Sequence, residues 1–348
     1  MNGDAALLLL ADSRLPAGGH AHSGGVEEAV RRGAVTGAGD LARFLRGRLA
    51  TAGLVTAALA AAACELAASE TAPVAGRGTG TGTGPVTGPG TGPVTGPGTA
   101  MDGGGSACRD CRDRRELGAA RDPGAPPPGD TADGVSLWRR LDAEADARTA
   151  SPAQREAARL QGRLLLRTAR RMWPSAALDT LARAVPEGPH HPVALGAAAA
   201  SAGCAPRQAA LAAAYTSVTG PATAAVRLLG LDPVTVHRLL ADLATALDDT
   251  ARAACASLDD AIPEDDEPEE CGHQGHQPGR HQGHQPGRPP VGHAAAHSAG
   301  HAVEHAVEHA AWQARWHARW HALPGHSAPA LDLLAEGHLT NPMKLFVS

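Results

Sequence analysis

The sequence has few aromatic residues, no excess of basic charge and no long run of strongly apolar residues. Only 2 % of its 348 residues are aromatic, so a hydrophobic core has to consist of aliphatic side chains, chiefly alanine and leucine. The formal net charge of −5 argues against a basic surface that follows nucleic-acid phosphates. The shortage of aromatic residues argues against a platform on which bases stack. We therefore expect no nucleic-acid partner.

The sequence also lacks the features of membrane and secreted proteins. Its longest uncharged apolar run, residues 49–64, is rich in alanine and shorter than the roughly 20 residues that a membrane-spanning helix needs. Asp4 stands where a signal peptide would carry basic residues. The six cysteines are too scattered for a disulfide framework. These features predict a cytoplasmic protein with reduced cysteines and no membrane partner.

The motifs of common catalytic sites are absent from the sequence. It contains no Gly-x-x-x-x-Gly-Lys-Ser/Thr phosphate loop, no Gly-x-Ser-x-Gly turn and no His-Glu-x-x-His zinc motif. Between His301 and His305 the order is wrong for a zinc peptidase, because Glu304 directly precedes the second histidine. No nucleophile stands beside a matching base. The sequence therefore predicts a protein that is not an enzyme.

Two segments of biased composition interrupt the chain. Residues 76–134 are rich in glycine, proline and threonine, and contain the octet GPVTGPGT twice in tandem. Residues 262–327 begin with acidic residues, continue with a tandem HQGHQPGR octet and end in a stretch rich in histidine, alanine and tryptophan. Such compositions are typical of linkers that do not form a packed core. We predict that both are insertions into one domain formed by residues 1–75, 135–261 and 328–348.

The rest of the chain has the pattern of an all-α domain of packed antiparallel helices. Apolar residues recur at helical spacing, and no stretch shows the alternation of a half-buried strand. Prolines and capping residues divide this pattern into short helices joined by turns. Helix starts are predicted at Asp40, Ser151, Pro192, Pro206, Pro221 and Asp232, the last opening a helix that reaches Leu247.

The segment from Leu7 to Glu27 is the most informative part of the sequence. An apolar turn is followed by four glycines, one proline, and several histidines and serines, which is typical of a tight loop with close backbone contacts. Ser23 is predicted to cap the next helix, and Glu27 to lie in its first turn. The residues alone are also compatible with a simple turn between two helices.

This segment resembles the N-terminal signature of the UreF family of urease accessory proteins. In that family a leucine-rich start precedes Ser-x-Leu-Pro-x-Gly-Gly and a turn rich in serine, histidine and glycine. The chain departs from the family at Lys344, where arginine with its planar fork of donors is usual. Further stretches that are similar to the same family are His191–Gly196, Ser217–Leu231, Pro329–Ala335 and Lys344–Ser348.

The resemblance implies a helical, usually dimeric scaffold without catalytic activity of its own. Proteins of this family bind the accessory protein UreD (also called UreH), recruit the nickel-carrying GTPase UreG and modulate its GTP hydrolysis, and so deliver nickel into apo-urease. The resemblance places partner binding at both ends of the chain. The residues concerned are Gly18, Gly19, His22, Ser23, Gly25, Glu27, Lys344, Leu345, Phe346 and Ser348.

Histidines recur every four residues in the second insertion. They stand at His293, His297, His301, His305 and His309, and again at His317 and His321. Two histidines four apart on a helix can chelate Ni²⁺, Zn²⁺ or Cu²⁺. The tract is therefore a candidate for nickel buffering. Alternatively, the whole chain is a metal-storage protein, or the tract is a low-complexity expansion without function, which has the same composition.

Trp312, Trp316 and Trp320 share the spacing and could pack this helix onto a partner. No other cofactor is expected.

Overall fold

The computed structural model describes residues 3–12, 15, 21–71, 132–259 and 313–346. These residues form helices and turns without any strand, which confirms the all-α prediction. A π-helical turn, Leu49–Gly53, joins the helix before it directly to the helix after it. The helices in chain order are α1 (Gly3–Ala11), α2 (Val26–Arg31), α3 (Ala38–Arg48), α4 (Leu54–Thr71), α5 (Ala132–Ala147), α6 (Pro152–Met172), α7 (Ala176–Ala184), α8 (His191–Ser201), α9 (Pro206–Leu229), α10 (Pro233–Ala241), α11 (Ala244–Asp259), α12 (313–321) and α13 (Pro329–Leu339).

Three alanine-rich helices, α4, α8 and α9, lie at the centre of the hydrophobic core. The backbones of α4 and α8 approach closely at Gly196. A Cβ atom built there would lie 2.2 Å from the carbonyl oxygen of Ala60 and 2.6 Å from the Cβ atom of Ala63. Glycine and alanine thus bring the two helix axes together, and the core needs few large side chains.

Several predicted helix starts are present in the structure. The Ser151 hydroxyl accepts a hydrogen bond from the Gln154 N–H at 3.1 Å and caps α6. The Asp232 carboxylate caps α10 in the same way. Pro192 and Pro206 lie in the first turns of α8 and α9, where the missing proline N–H costs no helical hydrogen bond. Local sequence therefore specifies these four starts.

Two other helix boundaries differ from the prediction. The helix α3 begins at Ala38, and Asp40 lies inside its first turn, where it accepts hydrogen bonds from the N–H and hydroxyl of Thr36. The helix from Asp232 does not run through to Leu247. It ends at Ala241, because the Leu243 N–H donates to Leu240 in a tighter i to i+3 turn, and α11 then starts at Ala244.

Pro221 does not open a new helix, as the sequence predicted, but lies inside α9. Because proline has no N–H, the carbonyl of Ser217, four residues earlier, has no donor within the helix. Arg48 supplies the missing donor, since its Nε donates to the Ser217 oxygen at 2.8 Å. The helix can therefore continue through the proline.

Part of the predicted second insertion belongs to the hydrophobic core. Trp320 is fully buried and Trp316 nearly so, among the chain's own helices. The expectation that these two residues pack on a partner is therefore wrong. Arg319 also forms an ion pair with Glu65 of α4 at 2.7 Å. Residues 132–134 of the predicted first insertion lie in α5, and residues 313–327 of the second are described as well. The other residues of both predicted insertions, with Trp312, lie outside the described residues, so the domain boundaries stay predictions.

One continuous helical stretch, Ala38–Glu70, could cross a membrane if judged only by its length and composition. However, 67 % of its most apolar window is buried inside the protein. A buried core helix passes the same test of length and composition. In the described part of the chain, this stretch is therefore only weak evidence for a membrane span.

The close contact at Gly196 predicts opposite effects for two glycine substitutions. Gly196→Ala should lower the free energy of unfolding by about 1–3 kcal/mol, because the backbone of α4 has to move away. Gly47→Ala is the matched control, since Gly47 lies in α3 with no atom within 4 Å of a built Cβ. It should raise stability by about 0.5–1 kcal/mol. Urea unfolding followed by circular dichroism measures both, and a harmless Gly196→Ala would contradict the packing described.

The contact between Glu70 and Trp138 links α4 to α5. The Trp138 Nε1–H donates to Glu70 Oε1 at 2.8 Å, whereas Glu70 Oε2 is buried without a hydrogen-bond partner. Burial raises the pKa of Glu70 to about 7, although the Trp138 bond and the charge of Arg183 act in the opposite direction. The charged carboxylate is therefore unfavourable in the folded protein.

The raised pKa of Glu70 predicts a pH-dependent stability. Between the ordinary value of 4.5 and about 7 the folded state binds the proton more tightly than the unfolded state, so stability falls as pH rises. Glu70→Gln keeps an acceptor for Trp138 and removes this dependence. Urea unfolding at about pH 5 and about pH 8 should show the variant gaining relative to the parent at the higher pH. An equal difference at both pH values would count against the assignment.

Candidate functional site

The N-terminal loop enters α2 through two glycines in the left-handed region. Gly24 has φ +59° and Gly25 has φ +89°, conformations that other residues rarely adopt. Gly25 occupies the N-cap position of α2, where no side chain caps the helix. The prediction that Ser23 caps this helix is therefore wrong. The Ser23 side chain is fully buried and its hydroxyl has no hydrogen-bond partner.

Arg48, at the end of α3, fixes this loop to α9. Its Nη1 donates to the Gly24 carbonyl at 2.9 Å, while its Nε donates to Ser217. Gly24 also lies against Pro221, since a Cβ at Gly24 would be 2.8 Å from the proline Cγ. Burial lowers the pKa of Arg48 to about 10, which still leaves the guanidinium charged at neutral pH. One side chain thus satisfies backbone carbonyls of both segments.

Glu27 joins this loop region to the C-terminal tail, which here means residues 340–346. The carboxylate is buried in the first turn of α2, as predicted. It accepts hydrogen bonds from the backbone N–H of Leu345 at 2.6 Å and of Phe346 at 3.3 Å. Hydrogen bonds to a charged acceptor are stronger than neutral ones. Two segments that lie more than 300 residues apart in sequence therefore meet at one side chain.

His338, near the end of α13, supports the same contact from the other side. Its Nδ1 lies 3.4 Å from Glu27 Oε2, within ion-pair distance although outside hydrogen-bond geometry. Its Nε2 lies 3.2 Å from the carbonyl oxygen of Phe346. The imidazole is buried. Glu27 and His338 together hold both the N–H and the C=O of Phe346.

The tail presents a buried and an exposed side. The Phe346 ring is buried, and the Arg227 guanidinium of α9 lies 5.2 Å from its centroid, in a cation–π contact. Lys344 and Leu345 point to the exterior, with Leu345 66 % exposed. In the described residues, large apolar side chains are also exposed on α13 and the tail at Leu333, Leu339 and Met343.

A second carboxylate on α2 holds α13 in place. Glu28 is fully buried and accepts hydrogen bonds from Arg31 and Arg32. These bonds, first that from Arg31, lower the pKa of Glu28 to about 2 although burial acts against the charged form. Gly337 of α13 packs directly on this cluster, because a Cβ there would lie 2.3 Å from Arg32 Nη2.

Behind the loop lies a cavity of about 520 Å³, between α6, α8, α9 and α13. His22 and His191 are among the residues that line it. Burial, and then the neighbouring His22, lower the pKa of His191 to about 4, so its imidazole is neutral at physiological pH. In the part of the chain that the structure describes, no three His, Cys, Asp or Glu side chains are placed to hold a metal ion.

The structure brings together most of the site residues that it describes. His22, Gly25, Glu27, Leu345 and Phe346 lie at the junction of loop and tail, and Lys344 is exposed next to it. Their roles in partner binding stay predictions. The predicted residues outside the described part of the chain are Gly18, Gly19, Ser348 and the candidate metal ligands His293, His297, His301, His305 and His309.

Sequence reasoning missed three residues of this junction: Arg48, Arg227 and His338. Arg48 is one of three arginines on α3 and Arg227 one of two on α9, so nothing in the sequence singles out either residue without the fold. His338 follows a glycine on a short helix, with nothing in the sequence that connects it to Glu27. Their shared function depends on contacts between segments far apart in the chain.

Comparisons with known proteins point to one family. The family model described as UreF matches residues 119–244. The urease accessory protein UreF of Mycobacterium sp. (strain JLS) is 40 % identical over 259 residues, which is 74 % of this chain and 89 % of that protein. Its counterpart in Mycolicibacterium vanbaalenii is 37 % identical over 260 residues, 75 % of this chain and 89 % of that protein.

A third relative matches this chain with similar identity and coverage. The urease accessory protein UreF of Mycobacterium tuberculosis is 35 % identical over 256 residues, covering 74 % of this chain and 87 % of that protein. At these levels of identity and coverage the matches extend well beyond the residues of the family model. The chain belongs to the UreF family of urease accessory proteins.

Proposed function

We propose that this protein is a non-catalytic scaffold that assembles with UreD/UreH and the GTPase UreG, modulates UreG and promotes nickel insertion into apo-urease. The observation that carries the proposal is the junction of the N-terminal loop with the C-terminal tail at Glu27. It makes one continuous surface from the two segments in which the family resemblance places partner binding.

The exposed side of this surface has the composition of a protein-binding site. The tail is fixed through buried backbone contacts, which leaves Leu345 and Met343 directed outward on an ordered support. An ordered apolar residue loses less conformational entropy on binding than a free one. Exposed apolar groups that sit close together favour contact with another protein. The tail thus supports a docking role better than a purely structural one.

The rest of the proposal follows from family membership. We place the protein in the cytoplasm, as a homodimer, with UreD/UreH, UreG and apo-urease as its partners. The scaffold needs no cofactor of its own, since the nickel that it helps to transfer is cargo. Catalysis of GTP hydrolysis is assigned to UreG, which agrees with the absence of a phosphate-loop motif from this sequence.

Metal buffering by the histidine tract is the second candidate function. The histidines at 293, 297, 301, 305 and 309 and those at 317 and 321 all fall on one four-residue register. Such a series offers overlapping pairs of imidazoles to Ni²⁺. Deleting residues 262–327 would not test this cleanly, because Trp320 belongs to the core. Substituting the histidines is the better experiment.

The scaffold proposal predicts that breaking the junction prevents UreG capture. Glu27→Ala removes two charge-assisted hydrogen bonds, worth about 1.5–3 kcal/mol each, and should reduce co-purification of UreG in the presence of UreD by about tenfold or more. Deletion of Lys344–Ser348 should abolish it. Circular dichroism should show that both variants keep the helical fold.

Two controls make the result interpretable. Glu156→Ala removes an exposed carboxylate from α6 and should capture UreG normally. Replacing the nine histidines between 273 and 309 by alanine should leave urease activation intact if the scaffold is the function, and abolish it if metal storage is. Undiminished UreG recovery with the tail deleted would overturn the proposal.

A further inference from the structure

The cavity behind the N-terminal loop has the size and the walls of a small-molecule site. Its volume of about 520 Å³ lies within the range of roughly 300–1,000 Å³ that is usual for such sites. Helices α1, α4, α6, α8 and α13 and the C-terminal tail contribute large apolar side chains to its wall, namely Leu10, Leu59, Leu165, Leu195, Leu331 and Phe346. A wall of this kind favours a ligand with an apolar body.

Arg48 places a positive charge on this wall that has no negative partner. Its hydrogen bonds go to the neutral backbone carbonyls of Ser217 and Gly24, and among the described residues it forms no ion pair. Arg148 lines the same cavity but is paired with Glu144 at 2.6 Å. A cation that is partly removed from water without an anion is unfavourable, and a bound anion would relieve that cost.

The guanidinium of Arg48 also has donors to spare. Ser217 accepts from its Nε and Gly24 accepts from its Nη1, and within the described part of the chain Nη2 forms no hydrogen bond. Nη2 carries two N–H groups. Free N–H groups of a guanidinium bind carboxylate oxygens through charge-assisted hydrogen bonds, which are stronger than neutral ones. Arg48 can therefore bind an acid group through Nη2 while it keeps its contacts to both carbonyls.

The remaining charges on the wall favour an anion as well. The charged residues of the described wall are three arginines, Arg48, Arg148 and Arg227, and two aspartates, Asp12 and Asp332. Asp332 already accepts a hydrogen bond from Gln154 Nε2 at 3.2 Å. The low pKa of His191, caused first by burial, leaves its imidazole neutral. The wall therefore carries more positive than negative charge, which disfavours a cationic ligand.

We propose that this cavity binds a small organic acid, with its carboxylate on Arg48 and its apolar body against the leucines and Phe346. A neutral apolar ligand would leave the charge of Arg48 unpaired, and a cation would be repelled by it. The volume of the cavity suits a small molecule. This function goes beyond the proposed capture of UreG and does not rest on it. Because Phe346 belongs to the wall, the bound acid also contacts the C-terminal tail.

Isothermal titration calorimetry of the full chain with probes of matched length tests the proposal. Sodium octanoate should bind at one saturable site and at least about tenfold more tightly than 1-octanol or octylammonium, because only the acid pairs with Arg48. A peptide C-terminus is the other source of such a carboxylate, and acetyl-Ala-Leu represents it. The assignment is overturned if octanoate shows no saturable site, or if 1-octanol or the peptide binds as tightly.

Two variants test whether the acid binds in this cavity. Arg48→Lys keeps the positive charge but loses the planar fork of donors, and should weaken octanoate binding by about tenfold. Ala158→Leu adds bulk to the wall from α6 and should weaken binding by a similar factor, because less space is left for the apolar body. Arg163→Lys and Ala143→Leu are the matched controls, since both residues are exposed and neither lines this cavity. They should leave octanoate binding unchanged.

Circular dichroism checks the fold of each variant. If Arg48→Lys does not fold, Ala158→Leu decides the question, because it leaves Arg48 in place. Octanoate binding that is unchanged in folded Arg48→Lys or in folded Ala158→Leu would contradict the inference.

Discussion

A proline inside α9 sets the position of the N-terminal loop. Pro221 leaves the Ser217 carbonyl without a helical donor inside a mostly apolar environment, where an unpaired carbonyl is costly. Arg48 satisfies that carbonyl and the carbonyl of Gly24 with the same guanidinium. The residue that supplies the missing hydrogen bond to α9 is therefore the same residue that fixes the loop. Gly24 and Gly25, both in the left-handed conformation, then lead the chain directly into α2.

The C-terminal tail depends on this arrangement in turn. Because the loop is fixed, Glu27 has one position, and its carboxylate can bind two consecutive backbone N–H groups of the tail. The same helix α9 that carries Pro221 also places Arg227 beside Phe346. Both ends of the chain are therefore organised by one helix. This is how a domain with few aromatic residues can hold its N-terminal loop and its C-terminal tail together in one defined arrangement.

Local patterns in the sequence predicted the helices well and their long-range contacts poorly. Ser151 and Asp232 cap helices because their own neighbours suffice to define the start. Pro221 was misassigned because the donor that allows it inside a helix, Arg48, comes from a segment about 170 residues away. Glu27 was placed correctly in its first turn, but its bonds to the tail depend on packing that no local pattern records.

The histidine-rich region also makes long-range contacts that local sequence patterns did not predict. Its composition indicated an appendage, yet Trp320 and Arg319 tie its last turns into the core. Tryptophan at helical spacing is compatible with an internal or an external partner, and only the position of α4 and α11 decides between them. The contact of Arg140 with His321 could not be read from spacing either, since the two residues lie on different helices.

The most direct measurement is amide hydrogen exchange of the tail in an Arg48→Met variant. The hydrogen bonds of Arg48 go to Ser217 and Gly24 and not to the tail, so we expect it to affect Leu345 and Phe346 through the loop and Glu27. We expect both amides to exchange markedly faster in the variant, while amides of α8 keep their protection and report an intact core. Unchanged exchange at Leu345 and Phe346 in a folded Arg48→Met protein would contradict the account.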